Sequence, residues 1–501
     1  MDTLTKLGIL ADAAKYDAAC TSSGVDRGPQ AGKVGFAQGG GLCHSFTPDG
    51  RCVTLLKVLM SNACTYDCAY CVNRRQASVP RATFTPRELA ELTVDFYRRN
   101  YIEGLFLSSG VLGTPDATTE RMIECLRLLR DEYRFNGYIH AEVIPGTSDE
   151  LVDAFGRLAD RLSVNLELPS SASLTELCPE KNARGISHPM AQIRRTRELE
   201  EQMLKEGRKK GNSNKLEGSL AAEPLVSALA TNPQPQTEAL SAFAPLTAIE
   251  GSSRLTSAQQ LRRAEATDAM PLRAVGMQMT LRPRSTVASG RRRFVPAGQS
   301  TQLIVGATPE DDNHILQLSN ALYQRFDLKR VFFSAYMPMV DDARLPEQGA
   351  PVPLRREHRL YQADWLMRYY AFSPDELATP EEPWLDLDVD PKLAWALRHI
   401  DRFPVEVMDA PIELLLRVPG VGPVGARRIM AARKAGPVTF EDLARLRITL
   451  KRARHFLTCG GKHDPKSPLD AQLIREKVVS DAKQSAYNHT RRQAEGQLSL
   501  F

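Results

Sequence analysis

Several features that would narrow the class of this chain are missing. No window holds the ~18 consecutive apolar residues that a membrane span requires. The stretch Met1–Tyr16 has no basic segment followed by an apolar one, so no secretory leader is expected and the cytoplasm is the expected compartment. Charge of one sign is not in excess: 65 Lys+Arg face 60 Asp+Glu, a net +5 over 501 residues. Aromatic residues are 7% of the chain. The cysteines number nine, an odd count at uneven spacing, which argues against a disulfide framework. In a reducing compartment a tight cysteine cluster is more often a metal or redox site. With 42% hydrophobic and 25% charged residues, the composition is that of a globular chain of two or three domains.

The pattern along the chain divides it. Residues 1–50 are glycine-rich and without periodicity, and read as an irregular lead-in. Residues 51–345 alternate apolar runs with helical spacing. Strands are expected at Cys52–Met60, Leu105–Ser108, Tyr138–Ile144, Leu162–Leu168, Gln302–Val305 and Val331–Tyr336. Thr85, Pro86 and Glu88 spell an N-cap, a proline at the first helical position and a capping-box acid. Further helices are expected from Ser148, around 189–207, and from Thr308–Asp311. Six βα units with parallel crossovers imply an α/β domain, open or closed as a partial barrel. The stretch 208–272 has one aromatic, Phe243, and is rich in small and polar residues, so it reads as a disordered insertion within the barrel. After the proline-rich Pro346–Pro353, residues 355–460 read as a small all-α domain, and 461–501 as a flexible tail.

The strongest chemical signal is Asn62-Ala-Cys64-Thr-Tyr66-Asp67-Cys68-Ala-Tyr70-Cys71, three cysteines separated by three and then two residues. It follows the first strand, at the end where barrel chemistry is built. Soft thiolates at this spacing suit an iron–sulfur cluster or zinc. Structural zinc usually takes four ligands, and no fourth stands nearby. Three thiolates on a four-iron cluster leave one iron open. Cys20, Cys43 and Cys52 lie upstream, with His44 adjacent, and whether they hold a second cluster is not legible from their spacing. Cys125 lies on an apolar helix face; Cys178 and Cys459 carry no assigned role. Tyr66, Asp67, His140 and Glu142 are strand-end polar residues that would line a cavity, and no catalytic residue is named.

The cysteine spacing, with Tyr70 before the last cysteine, resembles the radical SAM signature. That resemblance implies a (β/α)6 partial barrel, in agreement with the six units, and a [4Fe–4S] cluster on Cys64, Cys68 and Cys71. It also implies S-adenosylmethionine (SAM) on the open iron, an electron donor, and reductive cleavage to a 5′-deoxyadenosyl radical. It places SAM contacts at Tyr70, at Ser108-Ser109-Gly110, at Asn165 and Glu167, and at Val305-Gly306. The family's turn glutamate is absent after Ser109, so that contact falls to backbone groups.

A second signal is Leu414-Leu-Leu-Arg417-Val-Pro-Gly420-Val421-Gly422-Pro423-Val-Gly425-Ala-Arg427-Arg428. A short helix runs into a Pro-Gly-Val-Gly turn, and a second helix starts at Pro423. Glycines admit positive φ, and the turn's N–H groups with the new helix terminus suit a phosphate. From Arg417 to Arg454 there are ten basic residues against Glu441 and Asp442, and Arg273 to Arg293 holds six arginines and no acid. The segment resembles the helix-hairpin-helix motif, which implies DNA backbone contacts through Gly420, Val421, Gly422, Gly425, Arg427 and Arg428. The end, Gln497-Leu498-Ser-Leu500-Phe501, resembles the peptide with which bacterial repair proteins grip the replication sliding clamp.

The two motifs in this order resemble the DNA modification/repair radical SAM proteins thought to work with a uracil-DNA-glycosylase-like companion. The expected function is a radical SAM enzyme acting on DNA. The alternatives are a radical SAM enzyme acting on RNA or protein with the hairpin as a docking module, and a non-enzymatic DNA-binding iron–sulfur protein. A DNA glycosylase with a structural cluster would carry four cysteines after its hairpin, whereas here three precede it. The substrate, the choice of DNA or RNA, the role of 208–272 and the oligomeric state are not legible in the sequence.

Overall fold

A computed structural model of the chain describes residues 1–14, 42–46, 52–210, 292–465 and 467–481. Cys20, nearly all of the 208–272 stretch, the arginines 273–291 and the Gln497–Phe501 peptide lie outside the described residues. Two compact units are present. The first takes the described residues of Met1–Ile249 and Met270–Glu310, with Leu318–Pro353. The second takes Asp311–Gln317 and the described residues of Leu354–Phe501. Among the described residues no helix is long and apolar enough to cross a membrane.

The first unit is built on a seven-stranded sheet in sequential order. Its strands are β1 (Leu42–Phe46), β2 (Cys52–Leu59), β3 (Gly104–Ser108), β4 (Tyr138–Glu142), β5 (Arg161–Ser163), β6 (Gln299–Val305) and β7 (Arg330–Ala335). β1 pairs antiparallel with β2, and β2 to β7 are parallel, a curled half-barrel of six strands. The expected strands fall within a few residues of these. The lead-in differs from expectation: it carries helix α1 (Thr3–Ala14) and edge strand β1, elements too short or too weakly patterned to stand out in a glycine-rich stretch.

Helices follow the strands as the caps direct. In α2 (Pro86–Arg98) the Glu88 N–H donates to Thr85 Oγ1 at 3.2 Å, and the Thr85 N–H donates to Glu88 Oε2 at 2.8 Å. α3 (Pro115–Arg127) and α4 (Asp149–Leu158) follow β3 and β4; α5 (Ser171–Leu177) and α6 (Ala183–Lys210) follow β5; α7 (Asp312–Phe326) joins β6 to β7.

Strand register separates two faces. Gln299 donates to the carbonyls of Met190 in α6 and Phe326 in α7, which identifies its face as the helix-covered one. Leu107, Ala141, Leu162, Leu303 and Phe333 share that face and are buried. The opposite face carries Lys57, His140, Glu142, Arg161, Ser163 and Gln302. Parallel strands buried on both sides normally read as continuous apolar runs. The inner face departs from that pattern, with buried polar residues at these positions.

The second unit holds α8 (Leu354–Tyr369), α9 (Pro374–Leu377), α10 (Pro391–Arg398), α11 (Ile412–Leu415), α12 (Pro423–Ala432), α13 (Phe440–Arg445) and α14 (Leu450–Ala453). It is not all-α. Val405–Glu406 (β8), Leu457–Cys459 (β9) and Lys462–His463 (β10) form a small sheet in the order β10-β9-β8. Strands of two or three residues leave no alternation to detect in sequence. Beyond 460, expected as tail, residues 471–481 are helical. Trp395 anchors this unit, edge-on to Phe372 at 5.8 Å and to Phe403 at 6.2 Å.

Candidate functional site

The cysteine segment is an irregular excursion between β2 and α2, and its backbone has no ladder to satisfy it. Two side chains substitute. Asn62 donates to Pro80 O and accepts from Ala82 N–H, both at 2.8 Å. The Arg81 guanidinium donates to four carbonyls: Asn62, Asn73 (2.8 Å), Arg74 (2.6 Å) and Ala77 (2.8 Å). The loop is thereby closed on itself around one cation.

Backbone donors are directed at the sulfurs. Cys64 Sγ accepts from the Tyr66 N–H at 3.4 Å and the Val111 N–H at 3.3 Å. The turn after β3 lies against the loop. Gly110 N–H donates to Ser61 O at 2.7 Å, and a Cβ at Gly110 would meet Cys64 Cβ at 3.1 Å. Ser108 is buried, and Ser109 donates to the Gly110 carbonyl at 2.7 Å.

Cys178, to which the sequence lent no role, belongs in this site. Its sulfur lies 2.7 Å from that of Cys68, and both residues are buried. The Ala69 N–H donates to Leu177 O at 2.7 Å, and the Asp67 N–H to Glu180 Oε1 at 3.1 Å, so the two segments are stitched together. A separation of 110 residues carries no spacing signal. The hydrogen bond to Cys178 and burial hold the Cys68 thiol well above its usual range, and accepting that bond lowers Cys178. Burial pushes Cys71 up to about 12. The Tyr70 hydroxyl is buried and raised by that burial, then by Glu167 and the thiols.

Lys181 and Glu167 complete this end, Nζ to Oε1 at 2.8 Å. Burial opposes the Lys181 charge, but Glu167, Cys68 and Cys178 outweigh it and hold the ammonium well above its ordinary value. Glu167 and Asn165 were expected on a strand reaching Leu168. The strand stops at Ser163, and Glu167 adopts φ +67°, a conformation costly for a non-glycine residue. Asn165 Nδ2 donates to Glu142 Oε1 at 2.8 Å. Gly306, at φ +86°, has Pro353 Cγ 2.7 Å from where its Cβ would be, so its lack of a side chain answers a packing contact within the chain. Val305 is buried on the helix-covered face. Asp67 braces the loop by accepting from the Gln76 N–H at 3.2 Å; of the four polar residues named as cavity-lining, His140 and Glu142 are on the inner face. Cys43 and Cys52 stand on the β1–β2 ladder, Cys43 opposite Leu55 and Cys52 opposite Phe46.

Three thiols on one braced loop, with N–H groups aimed at sulfur, are the donor chemistry of an iron–sulfur cluster. Among the described residues no three ligand side chains are yet gathered around one point. The Cys68 sulfur faces that of Cys178.

In the second unit the glycine turn is tight. Gly420 takes φ +90°, and a Cβ there would come within 2.6 Å of Thr449 O; at Gly425 a Cβ would meet Ile448 Cδ1 at 2.7 Å. The side chain of Val421 is buried and its N–H closes the turn on Val418 O at 3.1 Å, so it plugs the hairpin and offers no contact outward. The Lys392 ammonium donates to Val421 O and lies 4.6 Å over the Tyr370 ring. Burial lowers Lys392 to about 7. The N–H groups of Gly420 and Gly422 make no hydrogen bond among the described residues. Arg427 is exposed, while Arg428 donates to Leu446 O at 3.1 Å. Much of the local basic excess is consumed internally: Arg417 on Glu376, Arg433 on the Ala410 carbonyl, Arg452 on Asp390, Arg454 on Asp464. Lys434 and Arg447 stay exposed, without an ion pair among the described residues.

Residues 58–190 match the family model of the Radical SAM superfamily. The span contains the cysteine loop, the Ser108–Val111 turn, Asn165, Glu167, Cys178 and Lys181, and the chain therefore carries a radical SAM superfamily domain. No curated protein matches the chain. Among solved structures it is similar to the FeFe-hydrogenase maturase HydG from Carboxydothermus hydrogenoformans, with 17% identity and a TM-score of 0.25 over 27% of this chain and 32% of that one. A second structure of HydG, a maturase of the [FeFe]-hydrogenase, aligns with 11% identity and a TM-score of 0.32 over 62% of this chain and 49% of that one. The chain spans less than half the length of either maturase chain.

Proposed function

We propose that this protein is a radical SAM iron–sulfur enzyme that acts on DNA. The observation that carries the reading is the braced loop presenting Cys64, Cys68 and Cys71 at the C-terminal end of β2, above an inner barrel face lined with polar groups. A [4Fe–4S] cluster with SAM supplies, when bound, one-electron cleavage of the sulfonium and a carbon radical for hydrogen abstraction. The chain's own residues do the rest. The Tyr66 and Val111 N–H groups stabilise negative charge on Cys64, and Lys181 places a cation beside Cys68 and Cys178. Ser108–Gly110, Tyr70, Asn165 and Glu167 are the proposed SAM-facing groups, Glu167 already fixed in position by Lys181.

DNA is assigned to the glycine turn. Its two unsatisfied N–H groups, the start of α12 and exposed Arg427 form an anion-binding corner that fits a backbone phosphate and reads no sequence. The clamp, a uracil-DNA-glycosylase-like companion and an electron donor are the proposed partners. The test is anaerobic reconstitution with iron and sulfide, then incubation with SAM, reductant and DNA. The expected result is 5′-deoxyadenosine, a mass change in the DNA, and DNA retention that falls steeply with salt. SAM cleavage with salt-insensitive retention would reassign the hairpin to protein docking; no cleavage at full iron loading would end the enzymatic reading.

A further inference from the structure

One level of the inner barrel face is not used by the cysteine loop. Lys57, Phe106, His140 and Arg161 stand in register across four neighbouring strands. Lys57 Nζ lies 5.2 Å from the Phe106 ring centroid, and Phe106 stacks on His140 at 4.1 Å and 10°. His140 Nε2 is 3.0 Å from Ser163 Oγ. All four residues are buried. Glu142, one level nearer the cysteine loop, is held by the Asn165 amide.

A buried cation without an anion is costly, by several kcal/mol in typical cases. Arg161 is 8% exposed, its Nε is buried without a partner, and among the described residues its guanidinium makes no hydrogen bond or ion pair. Arg130 in the same unit shows what the fold does with a structural arginine. It is 5% exposed and gives its donors to Leu158, Phe135 and Gly137 carbonyls and to the Asp160 carboxylate. Arg161 has been given none of these. Burial, then Arg161 and Lys57, hold His140 well below its usual range, so it stands as a neutral wall.

We propose that Arg161 forms an oxyanion site in the barrel interior, which binds a carboxylate or phosphate group of the molecule held beneath the cysteine loop. The guanidinium supplies paired N–H donors that match either group. The proposal rests on the radical SAM reading for the identity of the chamber and on the DNA reading for the choice of nucleobase probes.

The test uses the full-length reconstituted protein and three probes: orthophosphate, uracil and 5-carboxyuracil. Calorimetry is expected to give at least about tenfold tighter binding of 5-carboxyuracil than of uracil, the scale of one charge-assisted hydrogen bond. Arg161→Gln should bring the two to parity, and Arg161→Lys should keep part of the preference. Preference for the carboxylated base identifies a substrate-borne carboxylate, and binding of orthophosphate alone identifies a phosphate group. In the unsubstituted protein, whose folding is not in question, phenylglyoxal labelling of the Arg161 peptide should be suppressed by whichever anion binds. Equal binding of uracil and 5-carboxyuracil with no protection of Arg161 by either anion overturns the proposal. SAM cleavage that persists in that case leaves the radical reading standing, while anion binding without SAM cleavage sinks that reading alone.

Discussion

The cysteine loop and the glycine turn are built in opposite ways. The first is long and irregular, and its carbonyls are satisfied by side chains, four of them by Arg81. Its product is a set of side chains, the thiols. The second is short and held by backbone geometry, a positive φ at Gly420 and the buried Val421. Its product is main chain, the N–H groups of Gly420 and Gly422. A site that offers side chains tolerates a long loop if something clamps it. A site that offers backbone has to be tight and nearly free of side chains.

If that contrast is right, the two regions should break differently. The largest effect is expected for Arg81→Met, which strands four carbonyls and should lower iron incorporation about 10–100-fold in anaerobic reconstitution while leaving the second unit's melting unchanged. Gly420→Ala should do the converse. A left-handed φ and a 2.6 Å approach to Thr449 O predict a loss of about 3 kcal/mol from the second unit in denaturant unfolding, with iron uptake intact. Lys392, under the turn, sharpens the picture through pH. Its folded value of about 7 lies below the ordinary 10.5, so between these values the unfolded chain binds more protons and stability rises with pH. The wild type should gain about 2 kcal/mol between pH 7 and 9 relative to Lys392→Met, read by urea melts at each pH. The smallest effect is Arg427→Ala, which should reduce the slope of log affinity for DNA against log salt by about one, without changing iron content.

The barrel was largely legible. Strand positions followed from apolar runs, and α2 from its capping box, because both are local rules. The groups that complete the site were not. Cys178, Lys181 and Arg81 act through tertiary closeness, and nothing in their neighbours announces it. Asn165 and Glu167 read as strand residues because their run is apolar at alternate positions, yet the strand ends at Ser163 and Glu167, at a left-handed φ, meets β6 only as an isolated bridge to Leu303. The second unit's strands are too short for any period, and half of the ten basic residues from Arg417 to Arg454 are tied in ion pairs, which composition cannot distinguish from a solvated surface.

The bond from the Ala69 N–H to the Leu177 carbonyl joins segments more than a hundred residues apart. During synthesis, which runs from the N-terminus, the thiols emerge long before the strand of chain that fastens them. The cysteine loop therefore cannot reach its finished shape until α5 has left the ribosome, and metal delivery belongs after that moment rather than to the nascent chain.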